Sequence, residues 1–218
     1  MNRQTLQPDP GRPIRVLCVD DHQIVREGLA MLIGRQGDME VAGLAASGEE
    51  ALAMYAALRP DVTLMDLKLG RMTGVAAIAE IRRLDPTARI VVLTMFQGDE
   101  DIFRALAAGA ATYVVKDAAF ADLVQAVRQV HEGRQPQMSP GVKAQLTSRA
   151  ARPTLTPREI EVLEHIRCGL RNREIAVRCR IGEETVQTHV KSILLKLDAQ
   201  DRTAAVSIAL TRGIIHID

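Results

Sequence analysis

From Ile14 onward the chain alternates short apolar runs with amphipathic stretches. "IRVLCV" precedes "QIVREGLAMLIG", "EVAGLAA" precedes "EEALAMYAAL", and "DVTLM" precedes "GVAAIAEIRRL". "RIVVLT" then precedes "EDIFRALAAG", and "TYVV" precedes "FADLVQAVRQVHEG". Short continuous apolar runs separated by helices predict five strand–helix units in a parallel sheet covered on both faces, joined by right-handed crossovers. In such a sheet, ligands bind beyond the carboxyl ends of the strands.

After Gly133 the pattern changes. "RQPQMSPGVKAQLTSRAARPT" mixes Pro, Gly, Gln and Ser with little apolar content and reads as a linker, although "GVKAQL" has the spacing for a helical turn. From Leu155 only helical periods follow, in "TPREIEVLEHIRCG", "NREIAVRCR", "EETVQTHVKSILLKL" and "DRTAAVSIALTRG". Thr156 with Pro157 and Glu159 is a capping box with proline at the first helical position, and Gly169 and Gly213 stand where helices should stop. The expected organisation is a tail over 1–13, an α/β domain over 14–133, a linker over 134–154 and an all-α domain over 155–218.

Composition narrows the function. Three cysteines, Cys18, Cys168 and Cys179, are far apart and never spaced as a metal or redox pair, so they are assigned no chemistry. His22, His131, His165, His189 and His216 are scattered without a metal partner at helical spacing and gain no role. No apolar run approaches the roughly eighteen residues of a membrane span, and the first residues lack a signal peptide's apolar middle, so a cytoplasmic protein with no membrane partner is expected. Charge is nearly balanced, 17 basic against 18 acidic residues up to Ala150 and 11 against 9 beyond. Any nucleic-acid contact must therefore come from where basic residues lie, not from bulk charge. Aromatic content of 2%, without Trp, argues against stacking platforms for single strands.

The chemistry gathers at the strand ends. Asp20 and Asp21 follow the first strand and Asp66 the third, so the three carboxylates should share one sheet edge. Crowded carboxylates repel, and a hard divalent cation such as Mg²⁺ keeps them ionised. Thr94 and Lys116 end the fourth and fifth strands and bring a hydroxyl and a cation to the same rim. Phosphoryl transfer to Asp66 fits this set, with the metal, Lys116 and Thr94 holding the developing oxygens. Each group alone is better explained as a helix cap or solvated charge; all of them at the ends of four strands are not.

These residues carry a resemblance. "VDD" at 19–21, "LMDLKLGRMTG" at 64–74, "LT" at 93–94 and "YVVK" at 113–116 resemble the receiver domain of two-component response regulators, over 14–132. The resemblance implies a flavodoxin-like, doubly wound five-stranded sheet with Asp66 as phosphoacceptor. It also implies that Asp21, Asp66 and the Lys68 carbonyl bind Mg²⁺ directly and Asp20 through water. Thr94 and Tyr113 resemble the family's switch pair, a hydroxyl drawn to the phosphate and a ring that follows it. Gly70 stands where the family usually carries Pro, which relaxes the loop after the acceptor. Lys68 and Phe96 occupy positions that tune phosphate lifetime in the family.

In "EETVQTHVKSILLKL" the stripe Val186, Val190, Ile193, Leu197 should be buried, leaving Glu184, Gln187, Thr188 and Lys191 exposed. Gln187 and Lys191 can then reach base edges and Thr185 a phosphate, while Asn172 caps the preceding helix beside Arg173 at the DNA backbone. Residues 155–213 resemble the LuxR-type helix-turn-helix of the NarL/FixJ class. Gln187 replaces a frequent Lys and Gly182 the common Ser cap. The last helix, "TAAVSIALTRG", is apolar around most of its circumference, which suits either a homodimer contact on an inverted-repeat site or close packing within the monomer; the resemblance favours the dimer.

The reading is a DNA-binding response regulator, not a metabolic enzyme, phosphorylated by a sensor histidine kinase and acting on double-stranded promoter DNA, with RNA polymerase as a further partner. An aspartyl-phosphate phosphatase of the haloacid dehalogenase type would show D-x-D at the nucleophile, and position 68 is Lys. The alternative is a regulator that binds DNA or proteins independently of phosphorylation.

Overall fold

A computed structural model describes residues 11–95, 98–136, 146–147, 149 and 152–216. Most of the expected tail, much of the expected linker with its "GVKAQ" stretch, and Phe96 lie outside the described residues. In chain order the elements are β1 (Ile14–Val19), α1 (Gln23–Gly34), β2 (Met39–Ala45), α2 (Gly48–Leu58), β3 (Val62–Met65), α3 (Gly74–Leu84) and β4 (Ile90–Thr94). There follow α4 (Asp99–Ala107), β5 (Thr112–Val115), α5 (Phe120–His131), α6 (Pro157–Arg167), α7 (Asn172–Cys179), α8 (Glu183–Leu197) and α9 (Arg202–Thr211). They divide between two compact units, one built on a sheet and one helical.

All sheet pairings are parallel and the strand order is β2-β1-β3-β4-β5. Because successive side chains in a strand point to opposite faces, each strand serves two layers. Val16, Cys18, Leu64, Val91 and Leu93 pack with Leu29 and Ile33 of α1 and Leu123, Val127 and Val130 of α5. Leu17 turns the other way, beside Met54 and Leu58 of α2 around Gly43. Most of these side chains are fully buried, each contributing about 1.5–3 kcal/mol against exposure. Cys18 is 0% exposed in the middle of this layer, and burial pushes its thiol up to about 12.

Two register pairs decide where the strands stop together. Val19 pairs with Met65 across β1 and β3, and Thr94 pairs with Val115 across β4 and β5. The residues that follow these pairs therefore emerge at one edge, where the strand order reverses.

In the helical unit, Thr156 Oγ1 accepts from Glu159 N–H at 3.2 Å and Glu159 Oε2 accepts from Thr156 N–H at 2.7 Å, which is the expected capping box with Pro157 behind it. Gly169 and Gly213 adopt φ of +78° and +70°, the left-handed stops that glycine takes without strain. Val162, Leu163, Ile175, Val186, Ile193 and Leu197 form the core. Ala205 and Ala209 of α9 are fully buried there, while Val206, Ile208 and Leu210 are only partly covered. The alanines thus do serve close packing inside the unit. Among the described residues no helix is long and apolar enough to cross a membrane.

Candidate functional site

Asp20 directly follows β1 and Asp66 directly follows β3, and the Asp66 N–H donates to the Val19 carbonyl at 3.0 Å, which fixes the two acids side by side. Both are buried, at 1% and 3% exposure. Asp20 Oδ1 accepts from His22 N–H at 2.9 Å, and Asp66 Oδ1 accepts from Leu67 N–H at 2.7 Å. Lys116, the residue after β5, spans the end of β4 to reach both. Its Nζ donates to Asp66 Oδ2 at 2.7 Å and lies 2.5 Å from Asp20 Oδ2. Burial works against the Lys116 ammonium, but hydrogen bonds and charge from Asp20 and Asp66 outweigh it and hold the group above its ordinary value.

Asp21 joins the acids at the rim. Ligand oxygens of Asp20, Asp21 and Asp66 and a ring nitrogen of His22 all lie within 4.8 Å of one another. His22 Nδ1 is 2.7 Å from Asp21 Oδ1. Three carboxylates less one ammonium leave two negative charges in this space, and hard oxygen donors at that spacing suit a divalent cation of the Mg²⁺ kind. His22 was given no role in the sequence, yet the structure places its ring beside the acids; the signal was its position directly after the acid pair in "DDH".

The loop after Asp66 is held from below. Gly74, the first residue of α3, donates its N–H to the Leu67 carbonyl at 2.9 Å. A Cβ at Gly74 would stand 2.0 Å from the Asp66 carbonyl oxygen and 2.7 Å from Leu67 Cα, so only glycine permits this approach. Gly70 has φ +70°, in the left-handed region. That conformation is closed to proline, so Gly70 does more than relax a turn; it gives the loop a different backbone path from a proline-bearing one.

Of the remaining expected site residues, Lys68 lies exposed in the same loop and Tyr113 is buried in β5 at 6% exposure. Thr94 ends β4 in the expected place, but its side chain lies outside the described residues.

A second candidate face belongs to α8. Val186, Ile193 and Leu197 are buried and Val190 partly so, leaving Glu184, Gln187, Thr188 and Lys191 exposed as expected, with Thr185 exposed beside them. Thr188 Oγ1 donates back to the Glu184 carbonyl at 3.0 Å, so this hydroxyl is already engaged within its own helix. Arg173 is exposed on α7. Asn172 does not cap α7: the cap position is Arg171, whose N–H donates to Glu174 at 2.8 Å. Asn172 Oδ1 instead accepts from Arg202 at 2.8 Å, tying α7 to α9. That tie spans thirty residues of sequence and overrides the local preference of Asn for the cap.

Glu159 fixes the pose of α8. Its buried carboxylate accepts from Ser192 Oγ at 2.6 Å and from Lys196 Nζ at 2.8 and 2.9 Å, besides closing the capping box. Burial alone would raise this acid, but the Lys196, Ser192 and Thr156 hydrogen bonds prevail and bring it down to about 2.

Comparison with known proteins accounts for both units. Residues 16–128 match the family model of the response regulator receiver domain, and residues 153–209 that of the bacterial regulatory proteins, luxR family. The chain belongs to the two-component response regulators of the NarL/FixJ class. The regulator is 40% identical over 207 residues to the response regulator protein VraR of Staphylococcus epidermidis, covering 93% of this chain and 99% of the relative. Among solved structures, the regulator ChrA of a heme-sensing two-component system is 33% identical with a TM-score of 0.55, covering 93% of this chain and 99% of ChrA. A structure of two RcsB dimers bound to two parallel DNAs is 25% identical with a TM-score of 0.64, covering 92% and 99%.

Proposed function

We propose that phosphorylation of Asp66 by a sensor histidine kinase switches the regulator's binding to promoter DNA. The observation that carries this reading is the meeting of Asp20, Asp66 and Lys116 from three strand ends at 2.5–2.7 Å. Asp66 offers Oδ2 as the nucleophile, and Lys116, already within reach, neutralises the oxygens that develop on the transferred group. Asp20, Asp21, Asp66 and the Lys68 carbonyl would hold Mg²⁺, which when bound offsets phosphate and carboxylate charge together. The chain's own contribution is placement: Gly74 and the Leu67 amide keep the Asp66 side chain aimed at the rim.

The acyl phosphate adds about two negative charges at the rim. Thr94 and Tyr113 are the residues expected to pass this change to the outer face of β4 and β5. In the helical unit, Gln187 and Lys191 would reach base edges, and Thr185, Thr188, Arg173 and the α7 start at Asn172 the sugar–phosphate backbone. A homodimer would place two α8 helices on an inverted repeat, in the manner of the dimeric, DNA-bound RcsB. The proposed division of labour is a cytoplasmic receiver over 14–133, a linker over 134–154 and a reader over 155–218, with RNA polymerase as the downstream partner.

DNA binding by the full chain, with and without acetyl phosphate and Mg²⁺, for wild type beside Asp66→Ala, tests the switch. Affinity should rise only for wild type with both additions. Equal affinity in every sample would favour a regulator that works without phosphorylation.

A further inference from the structure

The helical unit contains a second group of ligating side chains, remote in sequence from the acids of the sheet. Glu161 and His165 sit four residues apart on α6 and so share a face. Cys179, the last residue of α7, faces them across the helix pair. One ligand atom from each of the three lies within 4.8 Å of the other two. The Cys179 thiol, 7% exposed, donates to Glu161 Oε1 at 3.7 Å, so sulfur and carboxylate already point at each other.

We infer that Glu161, His165 and Cys179 form a binding site for a borderline-soft divalent cation, Zn²⁺ being the ion that this ligand set fits. A thiolate, an imidazole and a carboxylate are the donor types zinc takes, and three protein ligands leave a fourth tetrahedral position to water. The hard ions suited to the sheet's acids gain little from sulfur. Bond lengths of about 2.0–2.3 Å to a central ion require the three donors to draw in only slightly from their present spacing. The sulfur–metal bond forms as the thiol proton leaves to solvent, one proton per cation bound.

The surroundings orient the set. Arg158 pairs with Glu161 through Oε2 and also donates to the Cys179 carbonyl, which leaves Oε1 on the sulfur side. An outer partner that fixes a ligating carboxylate in this way is a usual part of a metal centre. A cation here would fasten the end of α7 to α6. Arg180, in the left-handed conformation at φ +54°, follows immediately and leads through Ile181 and Gly182 into α8. The ion would therefore stiffen the turn from which the reading helix departs.

The test uses the full chain, stripped of metal, with excess Mg²⁺ to fill the acids of the sheet and a phosphine reductant. Titration with Co²⁺ should produce a sulfur-to-cobalt charge-transfer band that saturates at one ion per chain and is bleached by Zn²⁺. Cys179→Ser should abolish the band, His165→Ala should weaken Co²⁺ binding at least tenfold, and Cys168→Ser should change nothing. No band in wild type, a band that survives Cys179→Ser or vanishes with Cys168→Ser, or unchanged affinity in His165→Ala would each overturn the site. Circular dichroism checks the fold of each variant. Should Cys179→Ser unfold, His165→Ala decides, because His165 is not part of the buried core.

Discussion

Lys196 Nζ donates to both carboxylate oxygens of Glu159, at 2.8 and 2.9 Å, and so clamps α8 to α6. Glu159 is brought from its usual 4.5 down to about 2 in the folded protein. Its stabilising contribution is thus complete above about pH 4.5 and disappears as pH falls toward 2. Linkage over that span amounts to about 3 kcal/mol. Denaturant unfolding of the full chain, read by hydrogen exchange within 155–213, should show Glu159→Gln less stable by roughly that amount at pH 7. The two proteins should converge as pH nears 2. A constant difference from pH 7 to pH 2 would show that the charge of Glu159 is not what stabilises the unit.

Lys116 occupies the charge-neutralising place between Asp20 and Asp66. Removing it by Lys116→Ala leaves two adjacent buried carboxylates without their ammonium. Mg²⁺ binding should tighten several-fold, because the cation no longer competes with a resident positive charge. The response of DNA binding to acetyl phosphate should nevertheless be lost. Isothermal titration with Mg²⁺ checks the first half, and weaker binding in the variant would refute the competition.

Gly74→Ala removes no functional group from the acceptor site. Its methyl would collide with the Asp66 carbonyl oxygen and Leu67 Cα, so the acceptor loop must move. The rate of Asp66 phosphorylation by acetyl phosphate, followed by intact mass, should fall at least tenfold. Rates within a factor of two of wild type would mean that the loop adapts without moving the acid.

Gly70→Pro would give the loop the residue usual in the family, yet it should destabilise this chain. Proline holds φ near −65°, whereas Gly70 has φ +70°. The expected loss is about 1–3 kcal/mol in denaturant unfolding. Gly70→Ala, strained but not barred, should lose about 1 kcal/mol. Stabilisation by proline would mean that the left-handed turn is not required.

The sheet and its acids were legible because the signals are local. An apolar run of strand length that ends in "DD" or "D" says both where the strand stops and what emerges there, and parallel order brings those ends together. Gly74 could be seen only as the start of a helical stretch and Gly70 only as a glycine in the place of a usual proline, since a close approach or a backbone sign leaves no trace in the letters. The double duty of Glu159 was half visible: its capping box is a pattern of four residues, whereas Ser192 and Lys196 lie 33 and 37 residues away. The same distance problem explains Asn172, drawn from the cap by Arg202. His165, given no role in the sequence, was half visible in the same way: Glu161 stands one turn back on the same helix, whereas the Cys179 sulfur comes from another.

Cys18, sealed at the centre of the sheet with its thiol near 12, has a practical corollary. Maleimide and peroxide attack thiolate, and a sulfur this protonated and this enclosed offers neither charge nor a path. Alkylating dyes added to native protein should therefore settle first on Cys168, the one exposed cysteine, giving fluorescence work an attachment point at the end of α6 without engineering.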